Sequence, residues 1–180
     1  HSSVTVFPCD LLSILHMHKN TYLCLNGTTL SLVSDEQVLR NASIFAGTVL
    51  AKLSSTSFLI GTALGCISQW TLDPLNREQT IQLSQCSAIV GLYPLNSTIW
   101  VVVAETGVSL LRLADFSILP VGLMPVLRSS ISAACPLNQS LWMGCVDGSI
   151  FVGDLSFEPS SECASFKSTV VLKAHTRRVT

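Results

Sequence analysis

Two histidines flank a methionine at His16-Met17-His18, and strand alternation would put both imidazoles on one side. That spacing could begin a metal site, but zinc needs three or four converging ligands, and Cys24 is the only other candidate nearby. Two polar residues where a strand runs into a turn is the ordinary reading. Gly61-Thr-Ala-Leu-Gly65 resembles a phosphate loop in outline only. It lacks a following helix and the Gly-Lys-Ser/Thr that would hold phosphates, so it reads as a tight turn. No Gly-x-Ser-x-Gly elbow occurs for a nucleophilic serine. Asp35-Glu36 and the acids from Glu158 to Glu162 fall in segments expected to be solvated loops. No catalytic group, metal or cofactor is therefore expected.

Thiol chemistry is also weakly signalled. The seven cysteines (Cys9, Cys24, Cys66, Cys86, Cys135, Cys145 and Cys163) form no Cys-x-x-Cys pair, and most lie in apolar runs. There a reduced cysteine acts as a small hydrophobe. Reduced thiols point to a cytoplasmic protein. Against this stand four Asn-x-Ser/Thr sequons, at Asn26, Asn41, Asn96 and Asn138, which would suit an extracellular chain. Asparagine also favours turns, and Asn96 and Asn138 occupy one repeat position.

The chain is 48% hydrophobic, only 12% charged, and carries a net charge of −1. No basic stripe for nucleic acid is present; the densest basic point is Lys173 to Arg178. The apolar runs break at Gly, Asn, Pro or a charge well short of the roughly 20 residues a membrane span needs. Strands buried on both faces account for such runs.

What positions these residues is a repeat. Ser57 to Leu72, Thr98 to Leu113 and Ser140 to Leu155 are three versions of one block, with glycines at Gly65, Gly107 and Gly148, spaced by 42 and 41 residues. Pro94-Leu-Asn-Ser-Thr-Ile-Trp100 matches Pro136-Leu-Asn-Gln-Ser-Leu-Trp142. A weaker copy runs from Thr21 to Val33 around Asn26-Gly27, a pair suited to a hairpin turn with positive φ at both centres. Each period holds four short strand candidates: Gly47 to Leu53, Phe58 to Thr62, Cys66 to Leu72 and Gln79 to Leu83 in one unit. In another they are Ser130 to Cys135, Ser140 to Val146, Ser149 to Leu155 and Thr169 to Leu172. No helical periodicity competes. Four strands per unit of about 40 residues is the arithmetic of a β-propeller blade. Trp100 and Trp142, at matching positions, should both pack between adjacent blades.

The block Leu141-Trp-Met-Gly-Cys-Val-Asp147-Gly148-Ser-Ile-Phe-Val-Gly153-Asp154 resembles the WD40 pattern, in which Asp-Gly opens the third strand and Trp-Asp closes it. Trp70 holds the Trp position in the first block and Asp154 the Asp position in the third. Leu172-Lys-Ala-His175-Thr-Arg-Arg-Val179 is similar to the His-x-x-x-Val segment that enters a blade, with His175 bridging that entry by hydrogen bonds. No block carries Trp and Asp together, and Leu64 replaces the turn aspartate in the first. The signature looks like that of the divergent WD40-type propellers in large signalling proteins such as Roco-type leucine-rich repeat kinases, RhoGEFs and JNK-interacting scaffolds.

The resemblance implies an all-β propeller of four-stranded antiparallel blades, part of a seven-bladed ring. Residues 1–7 would end a preceding blade, with Val4 to Phe7 as its outer strand. Blades would follow at 8–42, 43–85, 86–128 and 129–173, and 174–180 would begin the next. Its function would be non-catalytic protein–protein interaction, as a module of a larger signalling or trafficking protein. The alternative is an extracellular or receptor propeller for adhesion or ligand binding. Partners would be other proteins or peptide segments, with no nucleic acid, membrane span or small-molecule ligand. Carried over by position, the binding loops would present Glu105, Arg128, Asp147, His175 and Arg177.

Overall fold

The structure is a computed structural model describing residues 11–35, 37–122, 127–138, 140–158 and 163–173. Every regular element among the described residues is a strand. Two compact units divide the chain, residues 1–88 and 89–180.

The first unit holds two four-stranded antiparallel sheets with strands in chain order. One contains β1 (Ser13–His18), β2 (Thr21–Leu25), β3 (Thr29–Ser34) and β4 (Gln37–Ser43); the other contains β5 (Gly47–Lys52), β6 (Ser57–Thr62), β7 (Cys66–Thr71) and β8 (Asn76–Gln82). Leu23, Leu25, Leu30 and Leu32 from the first sheet share a core with Leu50, Phe58, Ile60 and Trp70 from the second. Phe58 is fully buried, and burial of a side chain of this size stabilises by about 1.5–3 kcal/mol. The outer strands β4 and β8 are exposed along almost their whole length.

In the second unit, β9 (Ile89–Pro94), β10 (Ile99–Ala104), β11 (Gly107–Arg112) and β12 (Ser117–Gly122) form one antiparallel four-stranded meander. A second comprises β13 (Ile131–Leu137), β14 (Ser140–Cys145), β15 (Ser149–Glu158) and β16 (Cys163–Lys173). The four-stranded antiparallel units expected from the repeat are therefore present, as blade-like sheets in an all-β chain. A feature absent from the repeat reading joins the last two. Val121 and Gly122 of β12 pair in parallel with Ala164 and Ser165 of β16, making one eight-stranded sheet. This is possible because β15 and β16 extend beyond the lengths expected of them, pairing as far as Glu158 with Cys163. Glu158, expected in a loop, is thus the last residue of β15.

Packing in this unit departs from the expectation for the paired tryptophans. Ile99, Val101 and Val103 share a core with Leu141, Met143 and Cys145. These residues stand at equivalent repeat positions, so the two sheets turn the same face toward each other. Side chains alternate across a strand, and Trp142 consequently lies on the opposite face from Leu141. It is 37% exposed, whereas Trp100 is 5% exposed.

The turns follow the residue chemistry. Gly148 has φ 82° and Gly65 φ 77°, a conformation that favours glycine. Gly27 has φ 88°, but Asn26 is not in the left-handed region; its Oδ1 instead accepts from the N–H groups of Thr28 (3.3 Å) and Thr29 (2.7 Å). The expected pair of positive φ values gives way to an Asx-type turn. Asn96 does the same between β9 and β10, accepting from the N–H groups of Thr98 and Ile99, both at 2.8 Å. Val4 to Phe7, and with them the expected preceding strand, lie outside the described residues.

Candidate interaction surface

Three of the five residues that the WD40 resemblance singled out gather at one end of the second unit. Glu105 and Thr106 form the two-residue turn that closes β10 onto β11, where Ala104 pairs with Gly107. Arg128 lies in the link that leads into β13, and Asp147 in the turn between β14 and β15. His175 and Arg177 lie outside the described residues.

Hydrogen bonds knit these loops together. The Ile131 N–H donates to the Glu105 carbonyl at 2.8 Å, and the Val146 N–H donates to the Ser130 carbonyl at 2.9 Å. The Asp147 N–H donates to Ser129 Oγ at 3.1 Å. Asp147 also organises its own turn: its Oδ1 accepts from the Ser149 N–H at 3.0 Å and the Ser149 hydroxyl at 2.6 Å. Backbone hydrogen bonds therefore tie down Glu105, Ser130, Ile131, Val146 and Asp147, while the side chains of Arg128 and Asp147 are exposed and that of Glu105 is half-buried.

A shallow cleft of about 300 Å³ lies here, lined by Glu105, Thr106, Leu127, Arg128, Ser129 and Ser130. Among the described residues, the Glu105 carboxylate and the Arg128 guanidinium form no ion pair or hydrogen bond. The cleft offers one acid, one base and three hydroxyls. That array suits a polar polypeptide segment. Sequence reading singled out the charged residues and passed over Thr106, in the turn beside Glu105, and Ser129 and Ser130, in the link beside Arg128.

The other chemistry-bearing residues have structural roles. The His16 ring nitrogen Nε2 lies 2.7 Å from the Lys19 carbonyl, and its ring stands 5.1 Å from that of Tyr22. Among the described residues no three His, Cys, Asp or Glu side chains converge as a metal site would require. Gly61 is inside β6, and Gly65 closes the turn to β7, its N–H donating to the Thr62 carbonyl at 3.2 Å. Cys24, Cys66, Cys86, Cys135 and Cys145 are unpaired thiols. Burial pushes the Cys145 thiol up, and the nearby negative charge of Asp147 adds to this. Burial raises Cys24 as well. Both stay protonated and poorly nucleophilic at neutral pH.

Asn41 and Asn96 are exposed within their sequons. Among the described residues no helix is long and apolar enough to cross a membrane. Comparison with models of known protein families and with curated protein sequences finds no match to this chain.

Proposed function

We propose that this chain is a non-catalytic protein–protein interaction platform, a WD40-like propeller module of a larger signalling or trafficking protein. The observation that carries the reading is the cleft where Glu105 and Arg128 stand unpaired among the described residues, on loops whose backbones are already hydrogen-bonded in place. Binding a partner there would require little further ordering of the loops, a cost that otherwise weakens association. Opposite charges held apart on such a rim favour register and partner choice more than raw affinity. The site belongs to the end of the unit, and fold-level analogy supplies the class of partner, another protein or peptide segment. A cytoplasmic setting is part of the same reading.

A photo-crosslinking residue placed at Thr106 tests the proposal in cells. It should capture one or a few discrete protein partners, and capture should fall when Arg128 is replaced by Glu. Labelling no different from that of a probe at exposed Gln37, on the edge strand β4 of the other unit, would contradict it.

The exposure of Asn41 and Asn96 favours a second reading, an extracellular or receptor propeller. A mass shift on glycosidase treatment of the secreted chain would support it, and an unshifted chain with titratable thiols would oppose it.

A further inference from the structure

In the first unit a second, smaller cavity of about 120 Å³ opens between the link at 44–46 and the β6–β8 region of the neighbouring sheet. Trp70 forms its floor, 7% exposed, with the indole N–H donating to Ser68 Oγ at 2.8 Å. Its mouth is apolar and open to water. Phe45 is 77% exposed and Leu64 47%, and no other large apolar side chain among the described residues is as exposed as Phe45.

Phe45 is held there by its backbone. The Ile44 N–H donates to the Thr28 carbonyl at 2.8 Å, the Gly47 N–H to the Gly27 carbonyl at 2.7 Å, and the Ala63 N–H to the Ala46 carbonyl at 2.7 Å. Ala46 itself adopts φ 52°, turning the link sharply just after the aromatic residue. The pinned backbone keeps this exposed aromatic residue at the mouth of the cavity.

The chemistry at the side of the cavity narrows the partner. Arg77 lies across the strand pair from Trp70 and lines the cavity with Thr80. Among the described residues its guanidinium has neither an ion-pair partner nor a hydrogen bond. Arg77 and Thr80 belong to β8, the last strand of its sheet, whose outer edge offers backbone groups to an extended chain. We propose that this groove docks an extended peptide segment carrying a carboxylate beside an aromatic or branched aliphatic side chain. The carboxylate pairs with Arg77, and the apolar side chain covers Phe45 and Leu64 above the Trp70 floor. This site is separate from the cleft at Glu105 and Arg128 and does not depend on its role.

The test uses the full 180-residue chain panned against a phage-displayed library of short random linear peptides. Enriched peptides, labelled with fluorescein, are then titrated by anisotropy. Enrichment of Asp or Glu next to Phe, Leu or Ile is expected, with affinity falling about tenfold or more in Phe45→Ala and in Arg77→Glu. Glu105→Ala combined with Arg128→Ala should leave that affinity unchanged. Thermal melts establish that each variant is folded, and Leu64→Ser replaces Phe45→Ala if the latter melts early. Peptides without an acid, or affinities indifferent to either Arg77→Glu or Phe45→Ala, would overturn the proposal. So would concentration-dependent dimerisation abolished by Arg77→Glu, which would assign the groove to a second copy of the chain.

Discussion

Trp100 and Trp142 stand 42 residues apart at the same place in the repeat, yet Trp100 is 5% exposed and Trp142 is 37% exposed. Their sheets meet through Ile99, Val101 and Val103 on one side and Leu141, Met143 and Cys145 on the other. Equivalent faces therefore oppose each other, and both indoles lie on the faces turned away from this shared core, where Trp100 is covered and Trp142 is partly open. Trp100→Ala should destabilise by about 3–5 kcal/mol, the range for deleting a buried aromatic side chain. Trp142→Ala should cost only about 1–2 kcal/mol, in keeping with the smaller area that it buries. Urea melts of the two variants, with iodide quenching of each remaining indole, check the difference. Equal losses would mean that the last sheet turns its other face inward.

The glycines of the repeat are not interchangeable. Gly148 has φ 82°, so Gly148→Val should cost about 1–3 kcal/mol in backbone strain. Gly65→Ala should be at least as damaging, since its φ is 77° and a Cβ would stand 3.0 Å from the carbonyl oxygens of Gln85 and Ser87. Gly107 has open space around it and no left-handed φ. Gly107→Ala is therefore expected to be neutral or to stabilise by up to about 1 kcal/mol. Thermal denaturation of the three variants reads the order directly.

Much of the fold was legible because local chemistry and pairing agree. The run Ile99-Trp-Val-Val-Val-Ala104 cannot be satisfied except as a strand covered on both faces, and all six residues are buried. Outer strands were harder to read. Asn76-Arg-Glu-Gln-Thr-Ile-Gln82 is strongly polar, and its pairing with β7 rather than its own propensity sets where it starts. The face that the last sheet turns inward is a tertiary choice, which a repeat aligned by position does not encode. At the rim, the charges of Glu105, Arg128 and Asp147 were visible in sequence, whereas the serines that tie their loops together emerge only from the geometry.

Asn96 should act as a turn-forming residue whether or not its sequon is used. Its Oδ1 accepts the N–H groups of Thr98 and Ile99, and the Thr98 hydroxyl at 3.0 Å. Asn96→Ala removes this acceptor and should destabilise by about 1 kcal/mol, whereas Asn96→Asp keeps it and should change stability little. Chemical denaturation of both variants checks this, and equal effects would show that the side chain does not hold the turn.

Asp115 gives stability a dependence on acid. Hydrogen bonds from Arg112 and then Ser117 lower its carboxyl from the ordinary 3.8 to about 2. A carboxylate whose folded value is depressed stabilises the fold above its unfolded value and loses that contribution as pH falls through the folded one. The advantage of the wild type over Asp115→Asn should therefore be full above about pH 4 and vanish toward about pH 2. Because the group is exposed, the effect should be small and should weaken with salt. A difference between the two proteins that grows on acidification would contradict this.

The most direct test of the interaction platform is the affinity of a partner captured through Thr106, measured against charge reversal at the rim. Glu105→Lys and Arg128→Glu should each weaken binding by about tenfold or more, with melting temperatures matching the wild type. Asp115→Asn, elsewhere in the unit, should bind as the wild type does. Unchanged affinity in both reversals would contradict the account.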